Sequence, residues 1–199
     1  MAIKETKILD FMLDLETFGV DANPMILQIA AVAFDYNTGE TGEEFNRFIK
    51  PQSSAKAGLK CTGSTVDWWL TQDPEVFEMV VLKAIKEGSD ITTVLSDLKN
   101  YFETTKNKYK AYQYRVWCLG MDCSWLFENY AQCKLDLPFP FWYINDLRSI
   151  FDTSKRIFGY DAKKEIPFVG KKHEAIDDCK HQIKMLMAVN SEFIKGKKL

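Results

Sequence analysis

The hydrophobic pattern of the chain predicts strands in its first quarter and mostly helices after that. The first apolar run, residues 8–13, has the length of a β-strand and leads into Asp14 and Glu16. The second run, residues 26–34, is almost continuously apolar, which is typical of a central strand. Residues 44–49 alternate between apolar and polar side chains, as a half-exposed strand does. Short turns join the three runs, so they predict an antiparallel meander.

Helical spacing dominates the rest of the chain, after a predicted loop over residues 50–63. The predicted helices begin at six positions, which are Ser64, Pro74, Asp90, Asp122, Asp146 and Glu174. Residues 111–118 and 141–143 are predicted strands between these helices. Three strands followed by alternating helix and strand predict an α/β fold, a mixed sheet flanked by helices, in one domain spanning residues 1–199.

Composition fits a single globular domain that is not strongly charged. Of its 199 residues, 46% are hydrophobic and 27% charged, and the formal net charge is −2. The five cysteines show no C-x-x-C pairing, which favours reduced thiols over a disulfide framework or a zinc site. No apolar run reaches membrane-spanning length, and acids interrupt the N-terminal run that could resemble a signal peptide. We therefore expect a cytoplasmic protein with no membrane partner.

Asp14 and Glu16 are the first candidate functional residues. Side chains alternate along a strand, so the two carboxylates point to the same face, with Cα atoms about 6.5 Å apart. At an effective dielectric of about 20, two such charges about 5 Å apart repel each other by roughly 3 kcal/mol. This repulsion predicts a cation between them. The alternative is that the strand ends at Leu13 and both acids face water.

Two further positions place chemistry-bearing residues near helix starts. Asp122 follows a predicted strand, where it is either a helix cap or a ligand. His173 and Asp178 are five residues apart at the start of the last helix, so both can overhang one site. A zinc-protease motif is excluded, because it needs a second His where this chain has Asp177.

Taken in order, Asp14-Leu15-Glu16-Thr17, Asp122 and His173-x-Ala175-x-x-Asp178 resemble the motifs of DEDDh 3′–5′ exonucleases. The stretches 64–69 and 117–121 look similar to the phage exonuclease A and RNase-T-like branch of that superfamily. The resemblance covers nearly the whole chain. It implies the DnaQ-like, ribonuclease-H-like fold, in which an antiparallel meander is followed by parallel strands.

The resemblance also implies a set of roles. Four acids would hold two Mg²⁺ or Mn²⁺ ions, and these are Asp14, Glu16, Asp122 and Asp178. His173 would be the general base in hydrolysis that releases nucleoside 5′-monophosphates from the 3′ end of single-stranded nucleic acid. Thr17 and Phe18 would meet the terminal sugar and base. Trp68 and Trp69 cannot share one helix face, so one packs inward, and the other, assigned here as Trp69, stacks on a base.

The second motif departs from the family pattern and leaves alternatives open. Counting straight from Trp117 puts Ser124 in the place of Asp122, which would remove one metal ligand. A nucleic-acid-binding protein of the same fold with impaired catalysis is therefore one alternative. The others are an internally cutting nuclease that does not need His173, and a metal-free interaction domain. The phage-like branch favours DNA over RNA. The expected location is the cytoplasm of a bacterial or phage-infected host cell, and the oligomeric state is left open, with a homodimer as one alternative.

Overall fold

The computed structural model describes residues 8–196 and contains one five-stranded mixed sheet with helices on both faces. The strands are β1 (Ile8–Thr17), β2 (Ile26–Phe34), β3 (Thr41–Phe48), β4 (Gln113–Cys118) and β5 (Ile144–Asp146). They lie in the order β3-β2-β1-β4-β5. The first three pair antiparallel, whereas β4 pairs parallel to both β1 and β5. The predicted meander followed by parallel strands is confirmed.

Helices connect and cover these strands. They are α1 (Pro51–Lys56), α2 (Gly63–Leu70), α3 (Pro74–Phe77), α4 (Lys83–Glu87), α5 (Ile91–Lys108), α6 (Asp122–Gln132), α7 (Leu147–Phe158), α8 (Ala162–Glu165) and α9 (Ala175–Gly196). A π-helical turn, Glu78–Leu82, joins α3 to α4. Among the helices of the described residues, none combines the length and apolar character needed to cross a membrane. The remaining residues of the predicted domain, 1–7 and 197–199, lie outside the described part of the chain.

Strand β1 divides the core into two layers because its side chains alternate. Leu9, Phe11 and Leu13 belong to the layer that α5 and α6 cover. Met12 points to the opposite layer, which α7 and α9 cover. The same face of β1 carries the acids of the strand, so the site described below opens on the side of α7 and α9.

Two local predictions differ from the structure. The predicted loop 50–63 contains α1, which Pro51 starts at its first position. Residues 141–143 form a 3₁₀ turn instead of a strand, and the strand follows at 144–146. The position of the short strand is decided by tertiary pairing rather than by its own pattern, since Ile144 pairs with Val116 on β4.

The opposite end of β1 holds a buried acid that is not part of the motifs. Asp10 is 4% exposed, and its carboxylate accepts a 2.7 Å hydrogen bond from Trp117 Nε1. The ring of Tyr36 stacks on Trp117 with centroids 5.4 Å apart. Burial raises the pKa of Asp10 to about 6, against the hydrogen bond from Trp117 that lowers it. The native state therefore favours the protonated carboxyl of Asp10.

Asp10→Asn is expected to stabilise the protein at neutral pH. With a native pKa of about 6 and an ordinary value of 3.8, Asp10 gives stability that is complete below about pH 4 and lost as pH rises through 6. Asparagine keeps an oxygen for Trp117 and removes the charge, so the free energy of unfolding at pH 7 should rise by about 1–3 kcal/mol. Urea unfolding at pH 4 and pH 7 measures this change. The exposed Asp97→Asn is the control, and an unchanged difference between the two pH values would contradict the prediction.

Candidate active site

Three of the four predicted acids are buried where β1 and β4 end. Asp14 and Glu16 on β1 are 9% and 8% exposed, and Asp122, the first residue of α6, is 7% exposed. Asp178 is half-buried in the first turn of α9. The alternative in which β1 stops at Leu13 and its acids face water is wrong, because the strand continues through both.

Electrostatics join the four carboxyls into one group. Burial is the largest cause that raises each pKa. Asp122 and Asp178 add to the rise at Asp14, while Asp14 and Asp178 add to it at Glu16. Glu16 likewise raises the pKa of Asp122, and that of Asp178 rises to about 6. Repelling carboxylates in a desolvated place are what a divalent cation stabilises.

His173 completes the group from the loop before α9. One ring nitrogen of His173 and one carboxylate oxygen each from Glu16 and Asp178 lie within 4.8 Å of one another. The backbone N–H of His173 donates a 2.8 Å hydrogen bond to Asp178, at a left-handed φ of 64°. Burial and the nearby Lys172 lower the pKa of His173 below its ordinary value. The imidazole is therefore neutral at pH 7 and able to accept a proton.

A buried polar network next to His173 fixes the start of α9. Glu174 accepts a 2.6 Å hydrogen bond from Gln28 Nε2 and a 3.2 Å bond from Asn46 Nδ2. The oxygen of the same Gln28 amide accepts from the backbone N–H of Ala175 at 3.2 Å. Gln28 is fully buried on β2, directly opposite Glu16 in the strand register. The network therefore ties His173 to the strand that neighbours the acids.

A second amide holds Asp14. Gln182, one turn beyond Asp178 on α9, donates a 2.6 Å hydrogen bond to Asp14 Oδ1. This bond lowers the pKa of Asp14, against the burial that raises it. Sequence reasoning missed both glutamines. Gln28 carried a usable signal, since it is the only polar residue in the apolar run 26–34.

A cleft of about 370 Å³ opens beside the acids. Its walls come mainly from the end of β1, α2 and α6, and they are formed by Leu15, Glu16, Thr17, Val20, Ser64, Thr65, Trp68, Trp69 and Trp125. The Thr17 hydroxyl donates to the Gly19 carbonyl at 2.6 Å, so it holds the turn after β1. The cleft is bordered by aromatic rings on one side and by Glu16 on the other. This arrangement suits a flat ring attached to a charged group.

The two tryptophans of α2 separate as expected, but in the opposite sense to the assignment above. Trp69 is 1% exposed and donates from Nε1 to the Thr17 carbonyl at 2.8 Å, so it packs inward. Trp68 is 39% exposed, and its ring meets that of His173 edge-on with centroids 4.9 Å apart. Phe18 is half-buried against the cluster of Leu27 and Trp69 and does not line the cleft. Trp68 is therefore the more exposed ring of α2, and it lies beside His173.

Asp122 and Ser124, the two candidates for the acid of the second motif, differ in burial. The Asp122 side chain is buried near the other acids, whereas Ser124, two residues later in the same turn of α6, is exposed. Gly120 allows this entry to α6, since its φ of 90° is a conformation that side chains rarely adopt. The helix thus brings the carboxylate, and not the hydroxyl, to the end of β1.

Comparison with known proteins gives this arrangement a family. The family described as the Rv2179c-like 3′–5′ exoribonuclease domain matches residues 9–190, nearly the whole chain. The chain belongs to this family. The match spans every element that carries one of the acids or His173, from β1 to α9.

A phage enzyme is related to this member of the Rv2179c-like family over part of its length. The exodeoxyribonuclease of Enterobacteria phage T4 is 27% identical over 119 residues, which are 56% of this chain and 50% of the phage protein. The matched segment is thus about half the length of that relative.

Solved structures share the fold of this Rv2179c-like chain. The nuclease domain of 3′hExo, a DEDDh family member bound to rAMP, superposes with a TM-score of 0.65 at 12% identity, over 96% of this chain and 95% of that one. The zinc-bound complex of E. coli ExoI with single-stranded DNA gives 0.69 at 16%, over 94% and 41%. Cell-death related nuclease 4 gives 0.68 at 18%, over 96% and 65%. The expected ribonuclease-H-like fold and the resemblance to DEDDh exonucleases are confirmed.

Asp178→Asn is expected to stabilise the metal-free protein while removing its response to Mn²⁺. The native pKa of Asp178 is about 6, so its stability contribution is lost as pH rises from about 4 through 6. Removing the charge should therefore raise the unfolding free energy in EDTA at pH 7.5 by about 1–2 kcal/mol. Mn²⁺ should raise the melting temperature of the wild type and much less that of the variant.

Thermal melts with EDTA and with millimolar Mn²⁺ measure both effects. The exposed Asp67→Asn serves as the control and should behave like the wild type. Equal Mn²⁺ responses of the wild type and Asp178→Asn would show that Asp178 does not bind the ion.

Proposed function

We propose that this chain is a two-metal 3′–5′ exonuclease that releases nucleoside 5′-monophosphates from the 3′ end of single-stranded nucleic acid. One observation carries the proposal, namely the convergence of His173 with Glu16 and Asp178 within 4.8 Å, beside an aromatic cleft. Membership of a 3′–5′ exoribonuclease family supports the class of reaction. The 3′ end of the strand would enter the cleft with its last phosphate at the acids.

The acids fit the ions that this chemistry needs. Asp14, Glu16, Asp122 and Asp178 offer only carboxylate oxygens, which favour Mg²⁺ or Mn²⁺ over zinc. When bound, two such ions stabilise both the attacking and the leaving oxygen of a phosphodiester. Bound ions would also reverse the local negative charge, so that a polyanion can approach an acidic pocket.

His173 supplies the base. Its neutral imidazole takes the proton of the attacking water, and its exposure at the rim of the site lets that proton pass to solvent. The hydrogen bond between the His173 backbone and Asp178 keeps the ring next to the acids. The contact with Trp68 limits the rotation of the ring on the outer side.

The cleft between Thr17, Trp68 and Trp125 would receive the terminal nucleoside. Trp68 stacks on the base, and Trp69 keeps the end of β1 in place through the Thr17 carbonyl. In this proposal Trp68 makes the base contacts that were predicted for Phe18 and Trp69, because the rings of Phe18 and Trp69 pack inward.

His173→Ala should lower exonuclease activity by about 100-fold or more, the usual loss for a general base. The measurement is digestion of 5′-labelled single-stranded DNA and RNA of the same sequence in Mn²⁺, with EDTA as the blank. Both substrates are used because the family is described as exoribonuclease, whereas the phage relative is an exodeoxyribonuclease. Asp14→Ala should abolish turnover, and the product should be the nucleoside 5′-monophosphate.

Two outcomes would contradict the proposal. Cleavage of a strand whose 3′ hydroxyl is blocked would indicate an internally cutting nuclease. Binding of the strand without turnover in Mn²⁺ would indicate the catalytically impaired nucleic-acid-binding protein. His181→Ala is the control for removal of a histidine, since His181 lies outside the group formed by Glu16, His173 and Asp178.

Trp68→Ala should raise KM by about tenfold, because stacking of one base contributes roughly 1–3 kcal/mol. Trp68→Phe keeps a ring and should recover most of this loss. Steady-state kinetics on a short single strand measure both variants. Trp142→Ala removes another exposed tryptophan, 68% exposed and not among the residues that line the cleft, and should leave KM unchanged. Equal KM values for Trp68→Ala and the wild type would remove Trp68 from the binding surface.

A further inference from the structure

Arg148 is a cation beside the acids that the mechanism above does not use. It is the second residue of α7 and is exposed. Its guanidinium lies so close to Gly120 that a Cβ on this glycine would come within 2.7 Å of Nη2. Its charge also lowers the pKa of Asp122, against the burial that raises it. Arg148 therefore lies at the edge of the acid group, next to the loop that carries Asp122.

Asp146, the capping acid of α7, directs both of its carboxylate oxygens to N–H groups and a hydroxyl around the start of α7. Asp146 caps α7 by accepting from the backbone N–H groups of Arg148 and Ser149, each at 3.1 Å. It also accepts from the Gly120 N–H at 3.3 Å, which fixes the start of α7 to the Asp122 loop. Among residues 8–196, no carboxylate forms an ion pair with the Arg148 guanidinium. A cation without a protein partner is thus held at a fixed place near the acids.

Arg148 also lines a second cleft, of about 210 Å³. The walls are Arg148, Phe151, Asp152, Lys155, Asp161 and Lys163. Both wall acids are already paired, one with Lys155 at 3.0 Å and the other with Arg156 at 2.8 Å. Within the described part of the chain this leaves Arg148 and Lys163 as the cations of the cleft without a carboxylate partner. The excess positive charge and small volume suit a phosphate group.

The position of this cleft agrees with the direction of the strand. The nucleoside cleft is formed mainly by β1, α2 and α6, whereas Arg148 belongs to α7, which packs on the other face of the sheet. A strand with its terminal nucleoside in the first cleft and its scissile phosphate at the acids must continue away from that cleft. We propose that Arg148, with Lys163 behind it, binds the 5′-phosphate of the penultimate nucleotide. This inference rests on the exonuclease function proposed above.

The test compares two thymidine dinucleotides that differ only in this phosphate, pTpT and TpT. The wild type should hydrolyse pTpT with a kcat/KM about tenfold or more above that for TpT, as expected for a charge-assisted pair. Arg148→Ala should bring the ratio close to one. Arg148→Lys should keep part of the preference for pTpT, since lysine retains the positive charge but not the planar guanidinium that donates two hydrogen bonds to a phosphate. Lys86→Ala removes an exposed charge from α4, which does not line this cleft, and should keep the wild-type ratio.

The ratio separates this role from a structural one. If Arg148 only holds the Asp122 loop or neutralises Asp122, Arg148→Ala slows both dinucleotides equally and the wild-type ratio survives, which overturns the proposal. Failure of the proposed function looks different, since the wild type would then cleave neither dinucleotide in Mn²⁺. In that event the ratio of dissociation constants for pTpT and TpT, measured by calorimetry, replaces the kinetic ratio. Loss of this binding preference in Arg148→Ala supports the subsite, and an unchanged preference overturns it.

Discussion

Mutual repulsion among buried carboxylates at the end of β1 is the constraint on which the rest of the structure depends. Asp14, Glu16 and Asp122 are each less than 10% exposed, and the pKa of each is raised by the charge of another acid of the group. A pair of charges about 5 Å apart costs roughly 3 kcal/mol at an effective dielectric of about 20. The total stability of a domain is only about 5–15 kcal/mol, so the acids must be held by strong packing elsewhere. The apolar strands β1 and β2, buried on both faces, supply that packing.

Two neutral amides support this group, one directly and one through the start of α9. Gln182 donates to Asp14, and Gln28 donates to Glu174 next to His173. An amide satisfies a carboxylate oxygen without adding a positive charge that would compete with a metal ion. The groups that position the acids are therefore different from the ions that would neutralise them. Divalent cations would supply the charge, while the amides and the strand register set the positions.

The residues that the sequence predicted are those whose roles follow from local pattern. Asp14 and Glu16 stand out because two acids end an apolar strand, and Asp122 and Asp178 because they begin helices. Gln28 and Gln182 could not be assigned, since their partners are more than a hundred residues away. The choice between Trp68 and Trp69 also failed, because both suit the helix and only packing against Thr17 decides which turns inward. Local pattern thus located the acids, and long-range packing decided how they are supported.

The buried acids of the site contrast with the exposed His173, the proposed base. The acids belong to β1 and to helix starts, whereas His173 belongs to a loop whose backbone has a left-handed φ of 64°. A base that receives a proton from water must return it to solvent in every turnover, so the role proposed for His173 requires an exposure that the acids do not have. The Asp178 carboxylate reconciles the two needs, because it is part of the acid group and also accepts the His173 N–H. One hydrogen bond thus ties the loop of His173 to the acid group, while His173 itself stays exposed.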